Sequence, residues 1–174
     1  MRNRYSLPQI TLHWLTLLMV ILTYAAMLFS DTVPDEDRAL VKNLHFNFGI
    51  SVWLLMLARL WLRHKNTIPP ITPKLPDWQL LGAHILHWCL YLMFLSLPIL
   101  GVLAQAYGGK TWFLLGWQVP QWVTPNDEAR AYLKQTHELI ANLGYFVIGA
   151  HTLAALYHHY IRRDDTLRRM MPGK

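Results

Sequence analysis

Four long apolar runs in this chain, at residues 8–29, 46–62, 80–105 and 139–161, hold no Asp or Glu at all. Their one full charge is Arg59, near the end of the second run. Runs without carboxylates argue against a proton or cation pathway, which ordinarily combines Asp or Glu with His. Cysteine is nearly missing too. Cys89 stands alone inside the third run, which excludes an internal disulfide, and no C-x-x-C-H motif is present to attach a c-type haem covalently. Charge is scarce overall, at 15% of 174 residues against 53% hydrophobic, too apolar a balance for an ordinary soluble domain of this size. The first run is too long for a secretory signal, and Ala25–Ala26–Met27 makes a poor cleavage site.

What is present reads as membrane. Each run is long enough to span roughly 30 Å of hydrocarbon, so residues 1–174 are expected to form one all-α domain. Its expected architecture is an integral membrane four-helix bundle with up-down-up-down topology. The net charge of +6 does not point to nucleic acid, because the basic residues follow the topology. Arg2, Arg4, Arg59, Arg63, Lys65, Lys74, Arg162, Arg163, Arg168, Arg169 and Lys174 fall on one side. Only Arg38, Lys42, Lys110, Arg130 and Lys134 fall on the other. By the positive-inside rule both termini are cytoplasmic. The second connection, with four prolines in IPPITPKLPDWQ, is expected to be an extended strap. The third carries Trp112, Trp117 and Trp122 and is expected at headgroup depth. Thr124–Pro125–Asn126–Asp127–Glu128 signals the start of the fourth helix, ahead of its apolar run.

The nine histidines are the chemistry-bearing residues, and their depth is informative. His137 opens the fourth run and His151 follows fourteen residues later, about 21 Å along the axis at roughly 1.5 Å per residue. Fourteen residues make nearly four turns, so both rings share a face, with Gly144 midway and expected to leave room for something flat and bulky. His45, at the start of the second helix, lies level with His137, and His13 lies level with His151. One imidazole from each of two helices, at each membrane face, is what two six-coordinate haem b groups require. Gly49, four residues after His45, repeats the small-residue accommodation. His84 and His87 lie near the depth of His13, and either could replace His13 or His151 as a ligand; the other reading is a hydrogen bond to a haem propionate, a quinone or a neighbouring helix. His64, His158 and His159 are expected to be solvated at the boundary.

The stretches QITLHWL, LHFNFGI and HELIANLGYFVIGAH, followed by HHY and RRMMP, resemble the bacterial cytochrome b561 family over nearly the whole chain. Within it the likeness is to the small enterobacterial di-haem members that act as superoxide oxidases. The resemblance implies two b haems, ligated by His13 with His151 and by His45 with His137. It also implies electron transfer from superoxide outside the bacterial inner membrane to ubiquinone within it. Broader relatives serve as haem b anchors for a partner dehydrogenase or hydrogenase, which keeps a second role open. For the first role, Lys134 lies one turn before His137 and Arg130 one turn before Lys134. These two cations are the candidates for drawing a small anion toward the site.

Overall fold

A computed structural model describes residues 4–172 of the chain. Arg2 and Lys174, which entered the charge count, lie outside the described residues. Four helices make the bundle: α1 (Leu7–Leu28), α2 (Arg38–Lys65), α3 (Asp77–Tyr107) and α4 (Asp127–Tyr157). Each holds a segment long and apolar enough to cross a membrane, and the chain is a multi-pass membrane protein. The helices overrun the apolar runs at most of their ends, because hydrogen-bonded turns continue into the polar boundary where caps take over. In α1 the Ser6 amide and hydroxyl both donate to Gln9 Oε1, at 3.1 and 2.9 Å. In α4 the Asn126 side chain accepts from the Ala129 amide at 2.9 Å, and Asp127 and Glu128 complement the helix dipole. Large apolar side chains such as Trp88, Phe146 and Leu153 stay exposed on the outer faces, as lipid contact requires.

Helices α1 and α2 pack as one antiparallel pair, α3 and α4 as another, and α2 joins the pairs through α3. At mid-height Val20, Val52 and Met56 are buried together, with Tyr24, Tyr91, Phe94 and Ile148 packed around them. Tyr24 also donates to the carbonyl of Ala141 at 2.9 Å, tying α1 to α4.

The two ends of the bundle are built differently. At one end the third connection folds into a small hairpin, β1 (Phe113–Leu114) with β2 (Trp117–Gln118). Leu115 and Gly116 turn it with φ of 50° and 86°, the two consecutive positive values that a tight I′ turn needs. Asn43 and Asn47, one turn apart on α2, hold it: the Phe113 amide donates to Asn43 Oδ1 at 2.9 Å and the Leu115 amide to Asn47 Oδ1 at 2.7 Å. The third connection thus lies at the bundle end. Trp112, however, is buried against Phe46, while Trp117 and Trp122 are exposed.

At the other end the N-terminal segment, the proline strap and the C-terminal segment knit together. Trp14 Nε1 donates to Met170 O at 2.7 Å, and the Thr72 amide donates to Asp165 Oδ1 at 2.9 Å. Arg169 is buried, donates to the Pro69 carbonyl and stacks over the Tyr5 ring at 5.5 Å. The strap is therefore a docked element. His158, expected to be solvated, is half-buried in a π-helical turn (His158–Arg162), and its Nδ1 lies 2.5 Å from Asp164 Oδ2. Asp164 is buried; burial pushes its carboxyl up, but hydrogen bonds from Thr166 and His158 outweigh that and hold it below the usual carboxylate range.

Candidate functional site

The four candidate histidines meet in the pairs that depth suggested. His45 of α2 faces His137 of α4 with ring centres 6.2 Å apart, at the hairpin end of the bundle. His13 of α1 faces His151 of α4 at 6.3 Å, toward the end that carries the termini. The buried Val20, Val52 and Met56 lie between the two levels along their helices.

Proton placement at the hairpin-end pair follows from its hydrogen bonds. His45 Nδ1 is 2.9 Å from the carbonyl oxygen of Thr23, and His137 Nδ1 is 2.9 Å from that of Leu97. A carbonyl only accepts, so both Nδ1 atoms carry the proton and both Nε2 atoms keep a lone pair for a ligand. Gly101 permits the second contact. A Cβ there would sit 3.3 Å from His137 Cε1, tighter than ordinary packing, so a larger residue would push the ring off Leu97.

A cavity of about 870 Å³ opens beside this pair. Val20, Val52 and Phe94 are among its apolar lining, and Gly49 borders it with only Thr23 Cγ2 near its missing side chain, at 3.9 Å. Its polar lining is strongly cationic: Lys42, Lys110, Arg130 and Lys134, with Glu138 the single acid. Lys134 and Arg130 are thus brought to the pair's own cavity. Lys134 also pairs with Glu138 at 3.1 Å, an exposed contact of the kind worth less than about 1 kcal/mol. Lys42 comes from the first turns of α2 and Lys110 from the third connection, both remote in sequence from α4, and no local pattern announced them.

The terminal-end pair is more crowded. His87 of α3 lies 5.3 Å from His151, centre to centre, and its Nδ1 is 2.6 Å from the carbonyl of Ala83 in its own helix. Arg59 Nη2 lies 3.0 Å from His13 Nδ1. His84 and His64 are exposed. Gly144 does not serve as a rest for a flat group. Its vacant side-chain position is closed by the Tyr24 hydroxyl and by Met93, whose sulfur a Cβ would meet at 2.9 Å, so this glycine lets helices pack close.

These donors fit haem iron better than a bare metal ion. A protein-only metal site needs three or four converging ligands, and no group of three His, Cys, Asp or Glu side chains is suited to hold one among the described residues. Iron in a porphyrin draws four nitrogens from the macrocycle and needs one imidazole from each side. With each Fe–N bond near 2 Å and each ring nitrogen about 1.1 Å from its ring centre, two such imidazoles stand roughly 6.2 Å apart. Both pairs match that spacing. His87 lies nearer to His151 than that spacing, at 5.3 Å. The hairpin-end pair also has the right tautomer; at the terminal end that depends on where Arg59 points.

Residues 4–173 match the family model described as prokaryotic cytochrome b561. Cytochrome b561 homolog 1 of Escherichia coli K12 is 49% identical over 174 residues, covering 99% of each chain. A Yersinia pestis protein named probable superoxide oxidase CybB is 41% identical over 175 residues, covering 100% of this chain and 99% of its own. Cytochrome b562 of Cereibacter sphaeroides is 28% identical, with 96% of this chain and 94% of the relative aligned.

Proposed function

Because the chain belongs to the prokaryotic cytochrome b561 family of membrane haem b electron-transfer proteins, we propose that it is a superoxide:ubiquinone oxidoreductase with two haems b. In this reading His45 with His137 and His13 with His151 are the axial ligands, in one domain of the bacterial inner membrane with both termini cytoplasmic. The observation that carries it is the pair of imidazole couples, 6.2 and 6.3 Å apart, at two levels of the bundle.

When bound, haem b supplies a one-electron carrier, so no side chain has to act as nucleophile or general base. His45, His137, His13 and His151 would hold the groups between them, and iron so held would have no position left for dioxygen. The Thr23 and Leu97 carbonyls fix the hairpin-end rings in the tautomer that presents Nε2. Lys134 and Arg130, with Lys42 and Lys110, make the cavity mouth cationic and raise the local concentration of a small anion such as superoxide. That charge, and the name of the Yersinia relative, are the support for superoxide as donor. Ubiquinone, taking electrons singly and protons at a membrane boundary, suits a buried chain of carriers.

The exposed hairpin tip, with Leu115 and Trp117 each 80% accessible, favours a second reading, in which a partner dehydrogenase docks there and supplies the electrons. One experiment separates the two. Detergent-purified protein should carry two haems b per chain, and superoxide alone should reduce them. Reduction only with a co-purifying protein would favour the anchor role, and a sample without a Soret band would end both.

A further inference from the structure

Arg59 is a half-buried charge inside the second span, to which the electron-transfer reading gives no task. Among the described residues its hydrogen-bonding contacts are two: Nη2 to His13 Nδ1 at 3.0 Å and Nη1 to Met56 Sδ at 3.8 Å. No Asp or Glu pairs with it among the described residues. Arg63, one turn along the same helix, is engaged with the Tyr91 ring at 5.8 Å. A guanidinium offers five donors and stays protonated, so within a membrane it calls for an anion. A neutral imidazole and a thioether are weak substitutes.

The His13 contact has a chemical consequence. The guanidinium donates, so His13 Nδ1 accepts, and the neutral ring then bears its proton on Nε2. That is the nitrogen His13 must offer to iron. The hairpin-end rings face no such conflict, since carbonyls hold their protons on Nδ1. Iron ligation through His13 Nε2 and the Arg59 contact therefore exclude one another, and ligation releases a guanidinium that the spans provide no carboxylate to receive. Haem b brings two carboxylates of its own. Resting on the ligand reading above, we propose that Arg59 binds a propionate of the terminal-end haem, moving to it from His13 as the iron is bound. The planar fork of Arg matches a carboxylate with two parallel hydrogen bonds.

The test uses the purified holoprotein with Arg59→Gln and Arg59→Lys. Haem per chain, a redox titration and the propionate bending band in resonance Raman spectra are measured. Each redox wave is first assigned with His13→Ala and His45→Ala. A nearby cation favours the reduced haem, which holds one more electron. Arg59→Gln should therefore lower the terminal-end reduction equilibrium roughly tenfold, about 59 mV for one electron, and shift its propionate band. The hairpin-end wave should stay in place, and Arg59→Lys should retain most of the potential. Loss of the terminal-end haem from Arg59→Gln supports the proposal when Arg59→Lys keeps that haem, and overturns it when Arg59→Lys loses it too. Two haems with both waves and the propionate band unmoved in Arg59→Gln overturn this proposal alone. A wild-type protein lacking the terminal-end haem overturns the ligand reading, and the proposal with it.

Discussion

Two kinds of residue at the hairpin-end cavity should separate under mutation. His45 and His137 hold their positions through backbone carbonyls, so replacing either with Ala should cost one haem per chain and leave the other. His13→Ala or His151→Ala should remove the opposite haem, and absorption spectra with a haem-to-protein ratio read both outcomes. Lys134 contributes charge at an exposed rim, paired with Glu138. Lys134→Glu should leave two haems bound and slow superoxide-driven reduction severalfold, the more so at low ionic strength, as a steering charge does. Equal rates at low and high salt in stopped-flow measurements would assign the lysine to the helix surface alone. Gly144 shows how a residue's identity can be read correctly and its purpose wrongly. Its spacing from both histidines suggested a flat ligand, yet Tyr24 and Met93 arrive from α1 and α3 to use that gap.

Among the elements, the C-terminal segment carries His158, which was expected to be solvated and is half-buried against Asp164. A basic tail after a span ordinarily sits solvated at the boundary, but here Asp164 and Asp165 draw it back onto His158 and Thr72. Asp164 has a depressed folded carboxyl pKa, so its contribution is present above the unfolded value near about 3.9 and is lost as pH falls through the folded one. Limited proteolysis should therefore find the segment protected from pH 5 to 8 and loosened only in strong acid. Asp164→Ala should expose it at neutral pH, at a local cost of about 1–3 kcal/mol for removing a buried acceptor. Cleavage rates equal to wild type would mean that the Arg169 contacts hold the segment unaided. The hairpin was equally hard to foresee, since two residues per strand carry almost no pattern. It persists because two α2 asparagines satisfy its amides.

For the whole molecule the organising feature is the separation of two polar levels by an apolar middle. Val20, Val52 and Met56 keep the histidine couples apart, while one rim gathers lysines and the opposite end knits the strap to the N- and C-terminal segments. The charge asymmetry supports the proposed orientation, with both termini cytoplasmic. Reporter fusions after Asp35 should read periplasmic, and fusions at the strap or the C-terminal segment cytoplasmic. The reverse pattern would place the lysine rim away from periplasmic superoxide and remove its proposed function.

Span number, helix order and the facing of His137 and His151 were legible in the sequence, because hydrophobic length and the 3.6-residue period are local properties of the backbone. The level of His13 and His45 was legible too, since a bilayer turns position within a span into depth. Lateral neighbourhood was decided only by tertiary packing. Arg59 reaches His13 across 46 residues, Asn47 reaches Phe113 across 66, and Arg169 reaches Pro69 across 100. Periodicity says which face of a helix is turned inward, but a contact also requires a second helix to present its own group at the same height. That depends on how all four helices pack together.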